Sequence, residues 1–277
     1  MAVGLAWQLV FTLQFCGRIP HIAESAIMGV TIWLAYTADR LLDARRLDTE
    51  LPHTLRHRFH SQFQRPLSCI WILAFSVDLM LMITFATPAQ IKWGLGCLVL
   101  VIIYLLRVQQ RDAGDRKLPK ELQAGFLFGF GISLICWSEV PSSTRLPLIL
   151  STALGGLLFS INCATVAFWE RRLDTAQAFT SCISRHAPTL TPIAIAVVIQ
   201  ISLTLILMIV GAIPVFVASC FMSSSLLLGM AVVASCWLRK DPPNAPIIVP
   251  PSGWELLADM SLIFPPTFMV IVAAWYS

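Results

Sequence analysis

Residues 36–46 read Y-T-A-D-R-L-L-D-A-R-R and close an apolar run that begins at Ile22. Two carboxylates, Asp39 and Asp43, stand four residues apart, so a helix carries them on one face. A second apolar run ends at Trp169 and gives E-R-R-L-D, with Glu170 and Asp174 at the same spacing. The pentads D-R-L-L-D and E-R-R-L-D share Arg, Leu and Asp at matching places. Glu170 follows Asp39 by 131 residues, and Asp174 follows Asp43 by the same interval. The pattern predicts an internal repeat that sets two acidic pairs at the ends of two membrane helices.

The rest of the chain agrees with a membrane setting. Hydrophobic residues make up 57% of it and charged residues 12%, whereas soluble domains carry about 25% charged residues. Mean hydropathy is +0.78. An all-α, polytopic membrane protein is expected, with residues 1–277 forming a single transmembrane domain. Nine apolar segments stand out, at about 2–17, 22–38, 67–87, 90–106, 122–138, 147–169, 190–212, 215–237 and 255–276. Spans of about 20 residues with short loops fill the length. The first segment lacks the basic n-region of a secretory signal and is expected to be a short span. Pro265 and Pro266 predict a kink in the ninth, with neighbouring helices satisfying the freed carbonyls.

Charge alternates between the loops. Arg40, Arg45, Arg46, Arg56, Arg58 and Arg65 follow the second segment, and Arg107, Arg111, Arg116, Lys117 and Lys120 follow the fourth. Arg171, Arg172 and Arg185 follow the sixth, and Arg239 and Lys240 follow the eighth. The other side has Arg18, Lys92 and Arg145. By the positive-inside rule the N-terminus is cytoplasmic and the C-terminus outside. A bacterial-type inner membrane is the expected location, and both acidic pentads fall on its cytoplasmic side. The net charge of +4 is explained by these loops and does not argue for a nucleic-acid partner.

Carboxylates at a helix end beside basic residues can be plain solvated loop charges. Two such pairs at equal spacing, on one side, each ending a long apolar helix, argue for a site. Paired carboxylates facing each other suit Mg²⁺, a small hard ion that takes one or two carboxylates and completes its octahedron with phosphate oxygens and water. The flanking Arg40, Arg46 and Arg171 suit a diphosphate, because the guanidinium fork matches phosphate oxygens. Arg116, Lys117 and Lys120, from the loop after the fourth segment, are placed to close over such a group, Lys120 foremost because it sits just before the fifth segment, with ordinary positive-inside charge as the alternative. Asn162, two turns before Glu170, is a further polar candidate.

Here the chain resembles the UbiA-type intramembrane prenyltransferases, which have nine helices and two aspartate-rich motifs. Their first motif, N-D-x-x-D-x-x-x-D at the end of helix 2, is matched by A-Y-T-A-D-R-L-L-D at residues 35–43. Asp39 and Asp43 keep the D-x-x-x-D half, while Ala35 and Tyr36 replace Asn-Asp. The second motif, D-x-x-x-D after helix 6, is matched by Glu170 and Asp174, with Glu for the first Asp. The resemblance implies a nine-helix bundle in which Asp39, Asp43, Glu170 and Asp174 hold Mg²⁺ and the diphosphate of a polyprenyl diphosphate. The prenyl group would then pass to a small-molecule acceptor within the bilayer. A second reading, motivated by Ala35 and Tyr36, is a non-catalytic relative that binds or carries isoprenoid or diphosphate lipids.

Other features yield less. His53, His57 and His60 have a spacing that can bind metal, but the chain has five histidines in all, too few for the repeated boxes of membrane desaturases. No D-G-x-x-A-R occurs, which excludes the CDP-alcohol phosphotransferase pattern. The eight cysteines show no C-x-x-C and no disulfide framework. Asp78, within the third segment, is expected either to hydrogen-bond a neighbouring helix or to line a cavity. Glu24, Glu139, Glu255 and Asp259 are expected to snorkel at span ends. Gly155 and Gly156 are expected to face the cavity for the prenyl tail.

Overall fold

The computed structural model describes residues 1–45, 47, 51, 55–109, 119–177, 189–238 and 253–276. Among these, all regular structure is helical. The helices are α1 (Ala2–Phe11), α2 (Ile22–Ala44), α3 (Leu55–Gln62), α4 (Gln64–Phe85), α5 (Pro88–Gln109) and α6 (Lys120–Ile132). They continue as α7 (Leu134–Glu139), α8 (Arg145–Ala176), α9 (Thr191–Ile209), α10 (Val215–Leu238) and α11 (Gly253–Tyr276).

All nine apolar segments are helical, but six helices are long and apolar enough to cross a membrane: α4, α5, α8, α9, α10 and α11. The other three segments depart for separate reasons. Helix α1 and the π-turn that extends it cover only Ala2–Cys16. Helix α2 is long, but Glu24 opens it and Asp39, Arg40 and Asp43 close it, which dilutes its apolar stretch. The fifth segment is broken at Ser133 into α6 and α7. There Ser133 Oγ bonds the Gly129 and Phe130 carbonyls at 3.1 and 3.0 Å, and it accepts from Trp137 Nε1 and Thr152 Oγ1. Serine hydroxyls compete with the helical backbone in this way.

Local chemistry sets several starts and stops. Glu24 reaches back to the His21 amide at 2.7 Å in a capping box at the head of α2. Thr87 and Gln90 cap α5 reciprocally, at 3.2 and 2.9 Å. Gly17 and Gly211 take positive φ at the ends of the α1 turn and of α9, a conformation glycine adopts without a Cβ clash. Helix α11 runs through Pro265 and Pro266. Pro266 has no N–H for the Leu262 carbonyl, and Trp7 Nε1 of α1 donates to that carbonyl instead at 2.9 Å.

The core lies where α1, α8, α10 and α11 meet. Trp7 stacks on Phe221 with centroids 4.8 Å apart and meets Phe159 edge-on. Phe11, Leu158, Leu228 and Leu262 complete this buried layer. Helices α4 and α5 lie outside it and expose Leu73, Ile83, Leu95 and Leu106, the surface a bilayer would cover. Two polar contacts dock α4 on α2: Thr31 Oγ1 donates to Asp78 Oδ2 at 2.8 Å and Trp71 Nε1 to the Leu34 carbonyl at 2.9 Å. Asp78 therefore takes the hydrogen-bonding role of its two expected roles.

Antiparallel α6 and α8 pack backbone to backbone. A Cβ on Gly125 would collide with the Ser160 backbone, and one on Gly129 would come within 2.6 Å of the Gly156 amide nitrogen. Small residues permit this approach between membrane helices. Gly156 itself packs on Phe126, and Gly155 lies against Phe221 and Phe159. Both glycines are helix-packing positions, which corrects the expectation that they face a prenyl cavity.

Candidate functional site

The two acidic pentads end α2 and α8, and Arg40 of the first lies in charge range of Glu170 and Asp174 of the second. Trp169, just before the second pentad, anchors α8: its Nε1 donates to Ser235 Oγ at 3.1 Å, and its ring lies 5.8 Å from Trp254. Gln177, just after the pentad, donates to the Leu51 carbonyl at 3.3 Å and ties the end of α8 to the chain beyond α2. Glu170 and Asp174 are buried, at 6% and 8% exposure, while Asp39 and Asp43 are partly buried.

Arg40 sits among these four acids. Its guanidinium lies 3.5 Å from Asp43 Oδ2 and over the Tyr36 ring at 5.4 Å. It is within charge–charge range of Asp39, Asp43 and Glu170, and of Asp174. Lys120, at the first residue of α6, also lies in range of Asp174. Two pentads separated by 131 residues thus share one arginine, with a lysine beside the second.

The remaining sequence candidates are placed as follows. Arg171 lays its guanidinium over the Phe168 ring at 4.1 Å. Asn162 has a buried Oδ1 that makes no hydrogen bond in the structure. Arg46 and Arg116 lie outside the described residues, as does His53. His60 is buried and meets Tyr36 edge-on at 6.3 Å. It props the face of α2 that carries Arg40.

Sequence reasoning did not assign four residues to this site, Asp259 having been read as a snorkelling span-end acid. Cys163 lies in charge range of Glu121, Asp259, Arg40 and Asp39, and Tyr104 in range of Asp39, Arg40 and Asp43. Glu121 is 5% exposed, and neither of its carboxylate oxygens makes a hydrogen bond. Its position beside Lys120 at the head of an apolar helix was the available signal. Asp259 has a weaker one, since Glu255 and Asp259 repeat the four-residue acidic spacing at the start of α11.

The donor set, four carboxylates on two helices with Arg40 in charge range of each, is of the hard oxygen type that Mg²⁺ takes. Among the described residues, no three His, Cys, Asp or Glu side chains are gathered tightly enough to hold a metal by themselves. That spacing still fits an ion arriving with a diphosphate, since Mg²⁺ needs only one or two carboxylates when phosphate oxygens and water fill the other positions.

No family model, no curated protein and no solved structure matches the chain.

Proposed function

We propose that this chain is a UbiA-type, nine-helix membrane enzyme that moves a prenyl group from a polyprenyl diphosphate to a small-molecule acceptor. The observation that carries this reading is the meeting of the two repeated pentads around Arg40. Six helices suit a bilayer by length and composition. The remaining three spans of this reading are α1 with its π-turn, α2, and the broken α6–α7 pair. Orientation follows the basic loops, with the acidic pentads on the cytoplasmic side. A membrane-impermeant maleimide added to intact cells should label a cysteine introduced at Arg145 and leave one at Arg58 unlabelled. The reverse pattern would overturn the orientation.

Asp39, Asp43, Glu170 and Asp174 would hold Mg²⁺, which when bound supplies Lewis-acid stabilisation of the leaving diphosphate. Arg40 and Lys120 add fixed positive charge for the same oxygens. The apolar helices shield the allylic cation from water as the C1–O bond breaks. The proton lost by the attacking acceptor needs a base, and we assign this role to buried Glu121, whose carboxylate oxygens make no hydrogen bond.

The test is diphosphate release from farnesyl diphosphate and a long-chain polyprenyl diphosphate in liposomes, with Mg²⁺ or with a chelator. Mg²⁺-dependent release by wild type, lost in Asp39→Asn and Asp174→Asn, is the expected result. Full activity in both variants would sink the site assignment.

A second reading, a non-catalytic protein that binds or carries isoprenoid or diphosphate lipids, draws on Tyr36. It replaces an aspartate of the family motif and lies under Arg40, so an arginine can neutralise the acids that a metal would otherwise face. Mg²⁺-independent binding of the diphosphate lipids without turnover would select it.

A further inference from the structure

At the end of the bundle remote from the acidic pentads, two cysteines 120 residues apart meet sulfur to sulfur. Cys16 Sγ donates to Cys136 Sγ at 3.7 Å. Cys16 ends the π-turn after α1, and Cys136 lies in α7. Cys136 is fully buried and Cys16 partly exposed. We propose that Cys16 and Cys136 are a thiol pair that closes reversibly to a disulfide, joining the end of α1 to α7.

Three observations support it. The backbones carrying the two thiols are already held together by a second link, since Arg18 bonds Glu139 Oε2 at 3.2 Å, two residues beyond Cys16 and three beyond Cys136. A disulfide needs sulfurs about 2.05 Å apart, so the thiols must close by well under one side-chain length. Cys16 is the last residue of the π-turn, and the helix stops at Gly17, which takes φ 68, so the shift needs no displacement of a continuing helix. The partial exposure of Cys16 admits an oxidant, while the burial of Cys136 keeps the second sulfur facing the first. Cys220, by contrast, is buried within the aromatic core.

The chemistry balances with a disulfide oxidant. The Cys16 thiolate attacks one sulfur of the oxidant, giving a mixed disulfide and releasing one thiol. The Cys136 thiolate then attacks Cys16 Sγ and releases the second thiol. Two protein thiols are oxidised, the oxidant's disulfide is reduced to two thiols, and both protein protons end on the released thiols. On the orientation given above, this end faces the compartment in which disulfides persist. The pair does not depend on the prenyl-transfer reading.

The experiment uses the full-length protein in detergent, incubated with oxidised glutathione or with dithiothreitol. Remaining thiols are blocked with N-ethylmaleimide, and the protein is digested without reductant for mass spectrometry. A peptide crosslinked through Cys16 and Cys136 is expected after oxidation, disappearing with dithiothreitol. Oxidised wild type should also melt above the reduced form, a difference that Cys16→Ser abolishes. If folded, oxidised wild type yields both peptides with maleimide on each cysteine and no crosslink, the proposal fails. The wild-type peptide map decides this even if a variant does not fold. A melting difference that persists in a folded Cys16→Ser protein would assign it to other cysteines and likewise overturn the pairing.

Discussion

The two ends of the bundle use similar side chains to opposite effect. At one end Arg18 is bonded to Glu24 at 2.7 and 2.8 Å and to Glu139 at 3.2 Å. Gln90 adds 2.8 Å to Glu24, and the His21 amide closes the set. This network joins the α1–α2 connection to α5 and α7, and its hydrogen bonds hold the Arg18 guanidinium firmly in its charged form. At the other end, among the described residues, Arg40 lies in charge range of four carboxylates, two of them buried, and Lys120 in range of Asp174. A closed network fastens helices. Buried carboxylates are costly in isolation and become reasonable where a cationic ligand joins them.

Substitutions can break this contrast. The largest effect is expected from Asp39→Asn or Asp174→Asn, which keep shape but remove charge. Mg²⁺-dependent diphosphate release should fall on the order of a hundredfold, with the melting temperature unchanged or raised. Second, Gly129→Leu should force α6 from α8, destabilising the protein by about 1–3 kcal/mol; thermal melts monitored by circular dichroism would register it. Activity should fall as well, because Lys120 is carried by α6. Third, Arg18→Ala should cost about 1 kcal/mol, as expected for a partly exposed ion network, and leave diphosphate release per folded molecule unaltered. If Arg18→Ala silenced turnover while Asp39→Asn only shifted melting, the two ends would have been assigned the wrong way round. The smallest effect is expected from Glu170→Asp, a loss of less than about tenfold in rate, since the charge remains and only its reach shortens.

Much of this was legible in the chain because it is local. Apolar length alone marks the six helices long enough to cross a membrane, and the repeated D/E-R-x-L-D locates the ends of α2 and α8. The break at Ser133 was not read from the sequence, because a serine within an apolar run only sometimes turns its hydroxyl on the helical carbonyls, as Ser133 does on Gly129 and Phe130. Nor was the pairing of Glu24 and Glu139. Each looks like an ordinary span-end acid until the fold brings Arg18 between them across 121 residues of chain. Both acids were expected to snorkel, and the structure gives them a partner instead. The same limit hid Glu121, whose burial follows from the glycine contacts that draw α6 onto α8.

The length of α8 has a consequence for how deep the acids sit. At 32 residues and about 1.5 Å per residue, it extends roughly 48 Å, against a hydrocarbon thickness of about 30 Å. Its other end begins at Arg145, a residue suited to the water boundary. Glu170 and Asp174, in its last two turns, would therefore stand at headgroup level. A lipid diphosphate could reach them by lateral diffusion, with its tail still dissolved in the membrane and its phosphates at their usual height. The helix would then act as a depth gauge, matching the carboxylates to a substrate that never has to leave its leaflet.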